Sequence, residues 1–565
     1  MEIKENTNGT ANTGTYRGNV GAILNPESRY GGKVQRSLCK EPVITELVEE
    51  LILPEYLPEI LKLLKGDVTL APASKFVSGG SAQFNGTLTY HILYVGTDGK
   101  AHTAEFPKEY AFQAPFDTNV DYDGSEGIAV SVDTCAESLV SRVSGARKIS
   151  VRLQLSSRVS ALAYAGIDGG REIAGDDVQK LEKSVSYVRE MSGSHEEMEL
   201  SDVWELPWLH AEYLGGEAEI FMEEVRAAEG YAECRGTVYG KFLFAPGEGE
   251  NLPQVVTRKQ SFSEAVEVDG LLPGDKCCAF GWCTAMQVTV PGREGATDGE
   301  ERDGSSDSAA EGAEASCRMR FCLQVRAFHE DEMTYVADAY STEGETTCEM
   351  REETLPTLLA VGNGNRTVDS TVSFADIPGF PADGRVRMLD VSGSVNIDGI
   401  LREDEKGRCV IGGTCHFSLL WSPENLSDPP ELFLTEIPVP IRFDPPEITE
   451  LPDTFRSRAV LIAPHVHLEE NQMKLSGELV LSYDAVKNHS VSEALALTVQ
   501  EPEESKTKKA RHGYTICYPD GGDTLWSISK KYRVPVNETA RENGMDPGMA
   551  ADASESLQGV RYMIV

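Results

Sequence analysis

The stretch Gly66–Tyr94, GDVTLAPASKFVSGGSAQFNGTLTYHILY, returns twice further along the chain. Its second copy is Gly216–Phe244, GEAEIFMEEVRAAEGYAECRGTVYGKFLF, and its third is Gly393–Trp421, GSVNIDGILREDEKGRCVIGGTCHFSLLW. The three lines align without a gap. Glycine recurs at Gly66, Gly216 and Gly393, and again at Gly80, Gly230 and Gly407. Leu93, Leu243 and Leu420 each precede an aromatic: Tyr94, Phe244 and Trp421. A gapless triple match marks one module carried three times.

The block also says what kind of module it is. Phe84, Gly86, Leu88, Tyr90 and Ile92 alternate with polar residues, as do Cys234 to Phe242 and Ile411 to Leu419 in the other copies. That period of two belongs to a half-buried strand. Gly80, Gly230 and Gly407 fall where a turn should join it to the strand before. A second glycine, at Gly86, Gly236 and Gly413, sits inside the strand and predicts a bulge or a close backbone approach. No column holds a residue suited to chemistry, so the block reads as packing and the modules as scaffold.

The chain has 565 residues, room for about three to five domains of the usual size. Its 40% apolar content suffices for packed cores. Lys and Arg number 52 against 91 Asp and Glu, for a net charge of −39. Nucleic acid is therefore not an expected partner, because phosphate binding needs a basic face. The opening MEIKENTNGTANTGTYRGNV lacks the apolar run of a secretory signal, and no stretch is apolar for long enough to span a membrane. The expected location is the cytoplasm. There the twelve cysteines should be thiols, many of them buried as small hydrophobes.

The organisation follows from the repeats. Residues 1–32 read as a flexible arm. Module one spans 33–165, module two 177–341 and module three 342–488, with the Gly-rich AGIDGGREIAGD between the first two. In module two the run 292–316, GREGATDGEERDGSSDSAAEGAEAS, has no apolar period and reads as a disordered acidic loop. A helix over VQKLEKSVSYVREM is not excluded by periodicity. GNGN at Gly362–Asn365 reads as a turn. Short alternating strands and Pro-rich turns give a mainly β fold of three sandwich- or barrel-like modules. Residues 489–512, which include EPEESKTKKAR, read as a linker to a last unit at 513–565.

That last unit has a different grammar, YTICYPDGGDTLWSISKKYRVPVNETARENGMD. Asp523 or Thr524 can cap a helix in which Leu525, Ile528 and Tyr532 share a core face. Lys530, Lys531 and Arg533 suit the helix C-terminus, and Pro535 suits the turn into a second helix over about Asn537–Asn543, capped by Gly544. Lys506, Lys508, Lys509, Arg511 and Arg541 add to a basic face on an acidic chain. With its opening strand, its Gly522–Trp526 motif, Asn543 and the closing Gly559–Ile564, this unit resembles a LysM domain, a small β-α-α-β fold.

Together with the Leu53–Ile60 opening LPEYLPEI and the three blocks, the whole chain resembles the spore coat morphogenetic proteins of endospore-forming clostridia. In that family three SPOCS (spore coat) repeats precede one LysM. The resemblance implies a non-enzymatic assembly protein of the mother-cell cytoplasm, recruited to the forespore surface. Its implied partners are the base-layer ATPase of the coat and other coat proteins. The binding candidates are Gly522, Asp523, Thr524, Trp526, Lys530, Asn543, Gly544 and Met545. Trp526 and Lys530 are four apart, so the lysine can lie on the indole or leave it to a partner. The alternative is a LysM that binds N-acetylglucosamine glycans of peptidoglycan. No catalytic motif stands out: P-loop, GxSxG and HExxH are all missing from the sequence. His465 and His467, or Cys317 and Cys322, would be incomplete as metal ligands. No cofactor is expected.

Overall fold

A computed structural model describes residues 30–39, 41–124, 127–208, 211–247, 252–290, 313–402, 409–424, 431–445, 448–500, 515–546, 552, 557 and 560–565. Most of the N-terminal arm, the acidic run up to residue 312 and the tether 501–514 lie outside these residues.

Module two shows the plan most clearly. A long strand β9 (Val178–Leu206) leads into a three-stranded meander, β10 (Glu212–Ala228), β11 (Tyr231–Ala245) and β12 (Gln254–Glu267). The chain returns through β13 (Lys276–Thr289) and β14 (Ala313–Ser341), and β14 pairs antiparallel with both β13 and β9. Two sheets result, ordered 10-11-12 and 13-14-9. They pack face to face over Trp204, Ile220, Val238, Phe242, Phe321 and Val325. Because the two sheets share no ladder, the module is a sandwich and not a closed barrel.

Module three repeats the plan with β15 (Glu345–Ser373), the meander β16 (Val386–Arg402), β17 (Cys409–Pro423) and β18 (Phe433–Phe443), then β19 (Thr454–Leu468) and β20 (Gln472–Gln500). In module one the long first strand is broken into β1 (Gly32–Ser37) and β2 (Val43–Ile52), both paired with β8 (Lys148–Ile167) beside β7 (Ile128–Gly145). Its meander is β3 (Ile60–Leu70) and β4 (Ser74–Ser78), then β5 (Ser81–Gly96) and β6 (Ala101–Pro115). The mainly β, sandwich-like class expected from the sequence is the observed one.

The repeated block supplies the first two strands of each meander. Phe84, Leu88, Tyr90 and Ile92 are buried, and so are their counterparts in the other copies. Gly79 and Gly80 both take positive φ in a two-residue turn between Ser78 and Ser81, the geometry of a type I′ hairpin. The interior glycines answer to close approach. A Cβ on Gly86 would lie 2.4 Å from the Tyr110 ring, and one on Gly236 would lie 2.3 Å from the Phe221 carbonyl oxygen. Bulges at Met222/Glu224 and Ile397/Gly399 stand opposite Gly236 and Gly413.

VQKLEKSVSYVREM, which periodicity leaves open between strand and helix, is strand, the start of β9, its backbone paired with β14 along its whole length. Three expectations need correction. GNGN is no turn but the middle of β15, where Asn363 donates to the Ala279 carbonyl at 2.6 Å and accepts from its amide at 3.1 Å. Residues 489–500 are no linker, since they complete β20 against β15. Residues 313–316 of the acidic run already belong to β14.

The modules form one body. Leu93, Leu243 and Leu420 point out of their own sandwiches and meet in a shared apolar hub with Leu64, Leu214 and Leu389. Each meander hands its last strand to the next: β6 touches β10, β12 touches β16, and β18 touches β3. That cyclic order is a pseudo-threefold. Polar groups ring the hub. Lys62 Nζ donates to the Leu432 carbonyl at 2.7 Å and lies 3.8 Å above the Phe433 ring. Lys241 pairs with Glu217 at 2.5 Å and with Asp390 at 2.9 Å, linking modules two and three. A second junction is ionic, with Arg456 reaching Glu190 at 2.7 Å and Asp484 at 2.8 Å. Arg326 meets the same Asp484 at 2.7 Å, and Arg458 meets Asp133 at 2.5 Å. Here carboxylates of all three modules are paired with guanidinium groups of the second and third.

Candidate functional site: the C-terminal unit

The C-terminal unit is built from β21 (Ile516–Cys517), α1 (Leu525–Tyr532), α2 (Val536–Glu542) and β22 (Met563–Ile564). The two short strands pair antiparallel, Ile516 with Ile564 and Cys517 with Met563. Thr524 is the N-cap of α1. Its Oγ1 accepts from the Ser527 amide at 3.0 Å, while Ser527 Oγ accepts from the Thr524 amide at 2.9 Å, a reciprocal capping box. Asp523 does a neighbouring job, accepting from the Asp520 amide at 2.9 Å. Arg533 ends the helix in the left-handed region at φ 57°, and Pro535 caps α2. Leu525, Ile528, Cys517, Ala540 and Met563 form the core, with Tyr532 and Met545 packed partly against it.

The expected binding residues fall into three groups. Thr524 and Asn543 hold the unit together. Asn543 Nδ2 donates to the Ile564 and Thr539 carbonyls at 2.7 and 2.8 Å, and its Oδ1 accepts from the Ile564 amide at 2.7 Å. Gly522 and Gly544 are exposed at positive φ, 111° and 66°, in two surface segments that also carry Asp523 and Met545. Trp526 and Lys530 face module two.

That third group is the most specific geometry in the unit. The Trp526 indole Nε1 donates to Asp338 Oδ2 at 2.8 Å. Lys530 Nζ donates to both Asp338 oxygens, at 2.6 and 2.7 Å. Lysine and indole therefore meet at one carboxylate instead of stacking on each other. Tyr340 lies edge-on to the indole, with centroids 5.0 Å apart at 67°, and its hydroxyl donates to the Val534 carbonyl at 2.6 Å. Beside this contact Lys183 pairs with Asp552 at 2.5 Å. Trp526 is left 6% exposed and Tyr340 1%.

A local irregularity of β14 makes the contact possible. Between Val336 and Asp338 the register with β9 shifts by a bulge. Val336 and Ala339 then both turn inward onto Ile173 and Ala494, while Asp338 and Tyr340 turn out to the helix. Bulges re-aim side chains in this way. Trp526 and Lys530 stand out in the sequence, whereas Asp338 and Tyr340 do not. The only local trace was the Asp-x-aromatic order in an otherwise ordinary strand.

Elsewhere the described residues carry little that suggests chemistry. No group of three or more His, Cys, Asp or Glu side chains converges among them as a metal site would require. The His465 ring instead contacts Ser476 Oγ at 2.7 Å. Burial raises the Cys317 and Cys283 thiols to about 12, which keeps them protonated. No helix among the described residues is long and apolar enough to cross a membrane.

Comparison with known families gives one match: a LysM domain model covers residues 522–549. The match takes in the capping box and both helices, so the chain carries a LysM domain at its C-terminus, which suggests binding of peptidoglycan or a related glycan. No curated protein and no solved structure matches the chain.

Proposed function

We propose that the chain is a non-enzymatic assembly protein of the spore coat type, in which a fused three-module scaffold carries a LysM unit that docks proteins. One observation carries this reading. The most specific polar cluster on the LysM surface, Trp526 with Lys530, is satisfied by a carboxylate and an aromatic of another protein domain. The likeness of the three modules to SPOCS repeats supplies the setting: the mother-cell cytoplasm, the forespore surface, and coat proteins including the base-layer ATPase as partners. Removing residues 505–565 should abolish recruitment to the forespore and leave the modules folded. Normal localisation of that truncation would overturn the proposal.

A glycan-binding reading is favoured by the LysM match itself and by the two exposed glycine-bearing segments around Gly522 and Gly544. Titration of the full chain with chito-oligosaccharides separates the two. Saturable binding that is lost on substitution in those segments selects the glycan, whereas no binding leaves the protein-docking reading in place.

A further inference from the structure

Asp338 and Tyr340 show what the Trp526–Lys530 face is made to receive. An extended strand offers a carboxylate and, two residues on, an aromatic ring, which share one side of a strand because side chains alternate. The carboxylate takes three donated contacts from the indole and the ammonium, and the ring sits edge-on to the indole with its hydroxyl on the Val534 carbonyl. The Asp338 side chain is 23% exposed and that of Lys530 37%, so water reaches both. Exposed ion pairs of this kind are individually weak, of order 1 kcal/mol or less. What holds the face shut is the tether, because a linked module sees its site at an effective concentration on the order of millimolar.

We propose that this face of the LysM unit is a binding surface for an extended segment bearing an acid two residues before an aromatic, and that Asp338–Tyr340 occupies it as an internal stand-in which a partner must displace. The proposal rests on the protein-docking reading above, and adds the partner's chemistry and a gate. The gate lowers affinity by the fraction of chains in the open state, so opening it should raise affinity without new contacts.

The test uses the full chain and a labelled nonapeptide copying residues 334–342, TYVADAYST. Three chains are compared: wild type, Asp338→Ala and the double variant Asp338→Ala/Trp526→Ala. Hydrogen exchange over residues 525–534 reads the gate without any partner, and should speed up at least tenfold in Asp338→Ala. The charge swap Asp338→Lys/Lys530→Asp should restore part of the slow exchange, regaining the ion pair but not the acceptor for the Trp526 indole, and a merely structural role of Asp338 would restore none. The peptide should bind Asp338→Ala at least tenfold more tightly than wild type, and the double variant should lose it. Unchanged exchange in Asp338→Ala would overturn the gate. Faster exchange with no peptide binding would overturn the assigned partner chemistry while leaving the gate. Faster exchange accompanied by tighter chito-oligosaccharide binding and no peptide binding would instead overturn the protein-docking reading on which the proposal rests.

Discussion

Leu243 keeps 8% of its surface exposed and Trp526 6%, so both are buried where one module meets another. Their surroundings differ. Leu243 shares an apolar hub with Leu420, Leu64, Leu214 and Leu389, drawn from all three modules. Trp526 faces one buried tyrosine ring and one carboxylate that water reaches. Apolar burial is non-directional and is lost all at once when modules part, whereas a few polar contacts can be traded for another ligand's. The hub is therefore a permanent joint and the dock an exchangeable one. The repetition agrees. The leucine column occurs in every module, as a shared centre requires, while the Asp338–Tyr340 pair meets a LysM domain that the chain has once.

The largest effect is expected in the hub. Leu243→Ala should destabilise the three-module body by about 3 kcal/mol, through lost burial and the cavity left behind, read as a lower urea midpoint. Next comes the interior glycine. In Gly236→Ala the new Cβ would press on the Phe221 carbonyl oxygen at 2.3 Å and on the Phe262 ring at 2.9 Å, costing about 2 kcal/mol in the same titration.

A smaller effect tests the polar ring of the hub. Burial, then the like charges of Glu217 and Asp67, push the Glu219 carboxyl up to about 8 against the partial relief from Lys241 and Lys65. A raised pKa favours the folded state while the group is neutral. That contribution is complete below the ordinary glutamate value of about 4.3 and is lost as pH rises through about 8. Glu219→Gln should therefore flatten the pH dependence of stability across this window, with its advantage over wild type growing up to pH 8 and constant above. A wild-type curve that rises over the same window would remove this account of Glu219. Smallest of all, Asp338→Ala should shift the urea midpoint of the body by less than about 0.5 kcal/mol equivalent, because it frees the LysM unit without touching a module core.

How much of this was legible depends on how local each cause is. The helix cap is a local feature, narrowed by the sequence to Asp523 or Thr524 and settled on Thr524 by its bonds with Ser527. The alternation of Phe84, Leu88, Tyr90 and Ile92 is also a local pattern and could be read directly. The outward aim of Leu93, Leu243 and Leu420 could not, because a strand with apolar residues on both faces looks the same whether the second face meets its own module or another. GNGN misled for a related reason. Asn363 sits inside a strand because its backbone pairs with Ser482 of β20, more than a hundred residues on, while its side-chain amide bonds Ala279 of a different module, and no local rule contains either partner. Residues 489–500 look like a linker from composition, yet they pair with β15 along their length except at one bulge. The dock was half visible. Trp526 and Lys530 stood out, but Asp338 lies far away in sequence and reaches them only through a bulge.

The central claim is that the three modules are one cooperative body and the LysM unit a separable one. Differential scanning calorimetry of the full chain, wild type and Leu420→Ala, tests it most directly. The account predicts a single main transition for the modules that moves down as a whole in Leu420→Ala, with a separate minor transition for the LysM unit left where it was. Three module transitions, of which only that of module three moves, would contradict it.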